Sequence, residues 1–490
     1  GVINFKADLE FPLKKEVTAE EMSYLVYGMI SEFAVPNFNG QEDIYGNKVD
    51  FELTSENLTL NGVINALGTQ FSSKLLYNLA TQKVIFDADF DIDQSLIDAI
   101  NFPLPPKTLF GKSTGTVHVE APKAAKVSID IVSDLVGLGL SIPGLKWSKP
   151  VDLNGNLIAT ATFEDGLNFE SFSLDTNGLR LNGKPMVTSA GVAAGFDIDE
   201  FKIDERINVS GIVEANERIT IKKGYFDARP FFVSRKRKIP TSSESVPARI
   251  DLDRVRLTKD AVLTNFIGDL QIGAALIGDF TADVGERAKI TGSFHSRRGK
   301  TAVEIRSDQG GPVLKEFGVV KDATGGKLLA SLTPAKDEMA TDGYVRVDDV
   351  KIQGAPFLAE LLNAMSIVGL IETLSGPGIP LNEIEATFRI KEDQIILKDF
   401  YAFGPSMGIT LDGYYSTTNK TLDMQGVISP IYVINGVGAI MSKKGEGLIG
   451  FNFNLKGKTG DVKLLVNPLS ALTPAMFRNI FRRPPPEYDE

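Results

Sequence analysis

Cysteine is absent from the 490 residues, histidine occurs twice and tryptophan once. Without cysteine there is no disulfide, no thiolate nucleophile and no cysteine-ligated metal. Two histidines, His118 and His295, cannot build a multi-histidine centre. No apolar run reaches the ~18 residues that a membrane-spanning helix needs. The most apolar window, Ile129 to Leu145, is interrupted by Asp130, Asp134 and Pro143. Basic residues are outnumbered, 52 Lys and Arg against 63 Asp and Glu, for a net charge of −11. A phosphate backbone calls for a basic surface, so nucleic acid is not expected as a partner. No leader peptide opens the chain; Gly1 runs straight into strand-like sequence, which reads as a start inside a longer protein.

What is abundant is phenylalanine (30, against 11 Tyr) and glycine (46). Phenylalanine fills apolar space without requiring a hydrogen-bond partner. The hydrophobic content, 43%, is that of a folded protein. The length suits about three domains or one long repetitive body. The dominant period is two: Ile207 and Val209, Leu422 and Met424, and Phe451, Phe453 and Leu455 alternate with polar residues. Turn signals recur between such runs, at Asp165-Gly166, Asn177-Gly178 and Asp342-Gly343. Alternation with closely spaced turns predicts many half-buried antiparallel strands. A pattern of apolar, any, apolar, any, glycine also recurs, ending at Gly62, Gly183, Gly211, Gly413 and Gly426. Each glycine falls on the face of its two apolar residues. It marks either the curving of a sheet or an ordinary strand end.

Helices are few. Asp93 can cap Gln94 to Ile100, and Asp308 can cap Gln309 to Phe317. The strongest pattern, 356–374, opens on Pro356 and is apolar nearly all round, which predicts a buried helix. A last helix is expected from Pro474 to Arg483, capped by Thr473. Its stripe is Met476, Phe477, Ile480 and Phe481, flanked by Arg478, Arg482 and Arg483. It suits an anionic membrane surface or a partner protein at the exit of an apolar groove, or else a lid on the last strands. The expected organisation is a first half over 1–233, a flexible linker over 234–247 around the basic run Arg235 to Lys238, a second half over 248–472, and a C-terminal helix and tail over 473–490.

Chemical motifs fail one by one. Gly111, Ser113 and Gly115 match a nucleophile elbow, but a proline-rich loop precedes them and a strand containing His118 follows, where the motif needs a strand and then a helix. The same stretch lacks the leading glycine of a phosphate-binding loop, that place being Pro106. Asp87, Asp89, Asp91 and Asp93 alternate, but Ile92 and Asp98 stand where a calcium loop needs Gly and Glu, so a solvated acidic face is expected. No catalytic residue, cofactor or metal site is expected.

Several segments taken together resemble the C-terminal part of AsmA-like proteins of the YhdP type, in their alphaproteobacterial form. They are Ile142 to Pro150 around Trp147, Ser307 to Leu314, Gly325 to Leu328, Ala355 to Ile379, Gly404 to Gly408 and, sharpest, Asn467 to Pro474. The resemblance implies a mainly β fold, a long twisted antiparallel sheet curved into an elongated open, taco-like groove. It implies phospholipid transport across the Gram-negative periplasm toward the outer membrane, akin to bridge-like lipid-transfer proteins, with an inner-membrane anchor that these residues do not contain. A scaffolding β-protein of the envelope, with the same apolar face as a filled core, is the alternative; a hydrolase is a distant third. The expected groove lining is Leu58, Leu60, Leu179, Leu181, Ile207, Val209, Ile409, Leu411, Leu422, Met424, Phe451, Phe453 and Leu455.

Overall fold

The computed structural model describes all residues except 16–17, 19–21, 39–41, 101–107, 189–191, 216–217, 233–244, 287, 337–339, 365–367, 431–448, 460, 473–481 and 487–490. The protein is mainly β, 69% strand and 8% helix, as the alternation predicts. The chain divides into two compact units, Gly1–Lys222 and Lys223–Glu490. The division falls inside the strand Arg218–Asp227, ahead of the 234–247 segment; the next strand, Val246–Arg256, begins within that segment. In each unit the main sheet is open and uncurled rather than closed into a barrel, and every described pairing is antiparallel.

In the first unit, cross-strand partners line up in rows. One runs Phe5, Gly28, Phe51, Leu60, Leu75, Phe86, Val119 and Ile129. A parallel row ends Leu157, Leu174, Leu181, Phe201, Val209. Directly opposed residues share a face, so these rows make that face apolar. The other face carries Lys74, Asp87, His118 and Asp130 as successive partners. Helix α1 (Gln94–Ala99), capped by Asp93 as expected, and a small sheet of Leu109–Gly111, Leu138–Ile142 and Trp147–Lys149 pack onto one margin of the apolar face. Leu96, Leu109, Leu135 and Leu138 there meet Phe90 and Ile92. Lys149 is fully buried and fastens this layer: its ammonium donates to the carbonyls of Leu135 (2.8 Å), Leu138 (2.7 Å) and Pro150 (3.2 Å). Burial holds its pKa below the ordinary lysine value.

In the second unit, α2 (Arg229–Phe232), α3 (Gly310–Glu316), α4 (Pro356–Ala364) and α5 (Val368–Ser375) are the described α-helices. The expected single helix over 356–374 is α4 plus α5, with 365–367 outside the described residues; Leu358, Leu361, Leu362 and Leu374 are buried as the pattern predicts. Asp308 does not cap α3. Gln309 takes the cap position, and its N–H donates to the Ser307 hydroxyl (3.1 Å), which itself donates to the Lys289 carbonyl.

Phenylalanine and glycine prove to be one device. Gly292 sits across from Phe280, and a Cβ there would come within 2.2 Å of the ring; Gly343 stands in the same relation to Phe388. The ring lies over its glycine partner and covers the backbone that the missing side chain leaves bare. Gly292→Ala is therefore expected to cost roughly 1–3 kcal/mol. Phe280→Leu added to it should recover part of that loss, read as a positive coupling in a thermal double-mutant cycle; simple additivity would show that the ring does not depend on the glycine.

Candidate functional site

Two rows span thirteen strands of the second unit. The first is Ile250, Gly268, Phe280, Gly292, Ile305, Ala330, Val345, Ala386, Phe400, Leu411, Gly426, Phe453 and Val466. The second, on the same face, runs through Ala248, Leu270, Gly278, Phe294, Val303, Leu332, Gly343, Phe388, Leu397, Gly413, Met424, Leu455 and Leu464, two residues from the first on every strand but one, where a bulge sets Leu397 three from Phe400. Neither row contains a polar side chain. A third row, from Leu328 through Val347, Ile384, Ala402, Ile409 and Ile428 to Phe451, borders the helices. Gly310 of α3 lies against Val347 and Leu328 of that row.

Every residue expected to line the groove lies on these faces, the first six in the first unit and the other seven in the second. They are not alike in burial. Leu58, Leu60, Leu181, Leu411, Leu422, Met424 and Phe451 are half-buried. Leu179, Ile207, Val209, Ile409, Phe453 and Leu455 are buried. In the first unit the buried ones sit toward the margin that α1 and the small sheet cover. All five glycines of the recurring pattern lie in strand interiors on the same faces, so they are not ordinary strand ends. At Gly426 a Cβ would lie 2.1 Å from the Thr410 carbonyl oxygen, a close backbone approach that only glycine permits.

The opposite face is polar. In the first unit His118 Nδ1 meets Asp87 at 2.6 Å, and Lys83 meets Glu120 at 2.8 Å. The Asp87 hydrogen bond raises the His118 pKa above its ordinary value. A raised folded pKa contributes stability below the ordinary value of about 6.5 and loses it as pH rises through the folded value. A small fall in melting temperature between about pH 6 and 8 is expected, absent in His118→Gln; an unchanged slope in that variant would remove His118 as its source. In the second unit Arg346 bridges Asp348 (2.9 Å) and Glu383 (3.3 Å), and Tyr401 donates to Glu383 (2.7 Å). Burial and the neighbouring carboxylates push the Tyr401 phenol well above its usual range.

Other sequence candidates resolve simply. Ser113 is buried, shares a hydrogen bond with the Ser133 hydroxyl, and lies on the face opposite His118, so the two cannot exchange a proton. Asp91 pairs with Lys112, and Asp93 caps α1. Of the C-terminal helix, Met476, Phe477, Arg478, Ile480 and Phe481 lie outside the described residues. Arg482 and Arg483 reach the polar face of the strands Met407–Ser416 and Thr421–Pro430: Arg482 pairs with Asp412, Arg483 with Asp423 (2.7 Å), and the Gln425 amide bonds both the N–H and the carbonyl of Arg483 (3.0 and 2.7 Å). The sequence signalled neither this fastening nor Lys149.

Fold and surface together define an open antiparallel β-sheet protein with one continuous apolar face per unit. No protein-family model matches the chain, no curated protein matches it, and no solved structure matches it. Among the described residues no helix is long and apolar enough to cross a membrane.

Proposed function

We propose that the apolar faces conduct phospholipid, the acyl chains sliding along the cross-strand rows while no residue performs a reaction. The observation that carries this reading is the pair of thirteen-strand rows without a polar side chain, many members of which are half-buried rather than sealed. A sheet face of this kind ordinarily buries itself against a second layer. Here helices border one margin of the second unit's face, leaving apolar surface for a ligand of matching chemistry. An acyl chain of about 16 carbons costs roughly 13 kcal/mol to expose to water, so a continuous apolar path lowers the barrier to moving it. Uniformity serves sliding, because no strongly bound position traps the chain. The resemblance drawn from the sequence supplies the setting, transfer toward the outer membrane across the Gram-negative periplasm. The alternative, a non-transporting scaffold of the envelope, draws on the burial of Phe453 and Leu455.

Mass spectrometry of lipid extracted from the purified protein tests the proposal. Phospholipid in at least equimolar amount is expected. Protein that folds and carries none above the level of an unrelated control would favour the scaffold.

A further inference from the structure

We infer that the polar face of the first unit carries a saccharide-binding recess over its first four strands, Val2–Glu10, Ser23–Phe38, Glu42–Thr54 and Asn57–Ala66. The recess lies on the face opposite the apolar rows and does not depend on what they bind. It measures about 560 Å³. Its floor is the main chain at Phe5, Gly28 and Phe51, three partners in the row that faces the other way. Its walls follow from the register. Asn4, Met29, Asp50 and Asn61 are successive partners in the row that continues to Lys74, Asp87 and His118. Lys6, Tyr27 and Glu52 form the next row.

On the second strand Tyr27 and Met29, two residues apart, make an apolar strip. Asn4 and Lys6 flank it on one side, Asp50 and Glu52 on the other, with Asn61 behind Asp50. Tyr27 is 40% exposed, so its ring is open to a ligand. Among the described residues none of these polar side chains makes a hydrogen bond or an ion pair. Elsewhere the same face pairs its charges, Lys83 with Glu120, Asp87 with His118 and Arg180 with Asp175. A smaller recess on the polar face of the second unit, about 380 Å³, has Asp269 paired with Arg249 and Glu304 with Arg306 (2.8 Å). Here Tyr27 is the direct partner of both Lys6 and Glu52 and stands between them. Cation and carboxylate, two strands and about 10 Å apart at the backbone, do not close into a pair. An apolar ligand would take water from these groups without replacing its hydrogen bonds. A phosphate would meet two carboxylates against one ammonium. A pyranose ring fits: its C–H face lies on the strip, and the hydroxyls around its rim meet partners on both sides. Carboxylates accept, the ammonium donates and the amides do both. The four strands span about 14 Å, which suits an oligosaccharide lying across them.

The test uses the full chain and three uncharged tetrasaccharides, maltotetraose, cellotetraose and chitotetraose, with saturation-transfer NMR to detect binding and calorimetry to measure it. At least one is expected to bind. Tyr27→Ala should weaken that binding at least about fivefold through the lost stacking surface, and Tyr27→Phe should keep it within about twofold of wild type. Asp50→Ala and Glu52→Ala should each weaken it roughly two- to tenfold, one hydrogen-bonding group being lost in each. His118→Gln, on the same face outside the recess, should bind as wild type does. The substituted side chains of the recess are exposed and unpaired, so each variant should melt within about 2 °C of wild type. Binding of none of the three sugars, or binding that Tyr27→Ala and Asp50→Ala leave unchanged, would overturn the assignment and leave the lipid proposal untouched. Spermidine bound more tightly than every sugar, and lost in Asp50→Ala, would replace the saccharide by a polyamine and also overturn it. A fall of several degrees in the melting temperature of Tyr27→Ala would mark the ring as structural and count against the site.

Discussion

Phe453→Asp is expected to prevent the second unit from folding stably, whereas Leu411→Asp, one strand away from Gly426 on the other side, should leave it folded and empty of lipid. Phe453 is only 1% exposed, and its ring lies over Gly426. A carboxyl placed there has no partner, and its desolvation adds to the loss of the ring, about 4 kcal/mol or more in all. Typical stabilities are about 5–15 kcal/mol. At about 2–4 °C per kcal/mol, the melting temperature should fall by roughly 10 °C or more. Leu411 belongs to the same row but is half-buried, so its new carboxylate keeps access to water and costs about 1–2 kcal/mol. Circular dichroism and lipid extraction on both variants separate the effects. If Leu411→Asp unfolds as completely as Phe453→Asp, the face is sealed core. If Leu411→Asp folds and retains its full complement of lipid, the row is not the path.

Asp412→Ala should destabilise the same unit by about 3–5 kcal/mol, the usual cost of removing one partner from a buried ion pair. Asp412 and Arg482 are 6% and 10% exposed at their side chains. The change leaves a buried guanidinium without its carboxylate, and Gln425 Nε2 loses the Asp412 acceptor at 2.9 Å. Asp412→Leu combined with Arg482→Met should recover much of the loss, because apolar residues of similar volume can replace a buried pair. A double variant no better than the single one would assign the effect to packing around Asp412 rather than to charge. Acid should act in the same place. Arg483 holds the Asp423 carboxyl below its ordinary value, so this contribution is present above the ordinary carboxylate pKa and is lost as pH falls through the depressed one.

Facing was legible along the chain. Alternation at Phe451, Phe453 and Leu455, and at Leu179 and Leu181, assigns each residue to a face because successive side chains on a strand point to opposite sides whatever the strand pairs with. The same local logic placed Asp93 as a cap and the five glycines on the apolar side. It fails at bulges: Leu397 and Phe400, three apart, share a face because the register shifts between them. Which half-buried residues would be sealed was not legible either, since Leu411 and Phe453 have the same alternation and differ only in what lies over them. Register across thirteen strands, the Phe280 ring over Gly292, Lys149 on the carbonyls of Leu135 and Leu138, and Arg482 on Asp412 seventy residues earlier were decided by the tertiary structure alone. Such contacts join residues whose separation in sequence is set by how strands stack, and a strand carries the same local pattern whichever partner it meets.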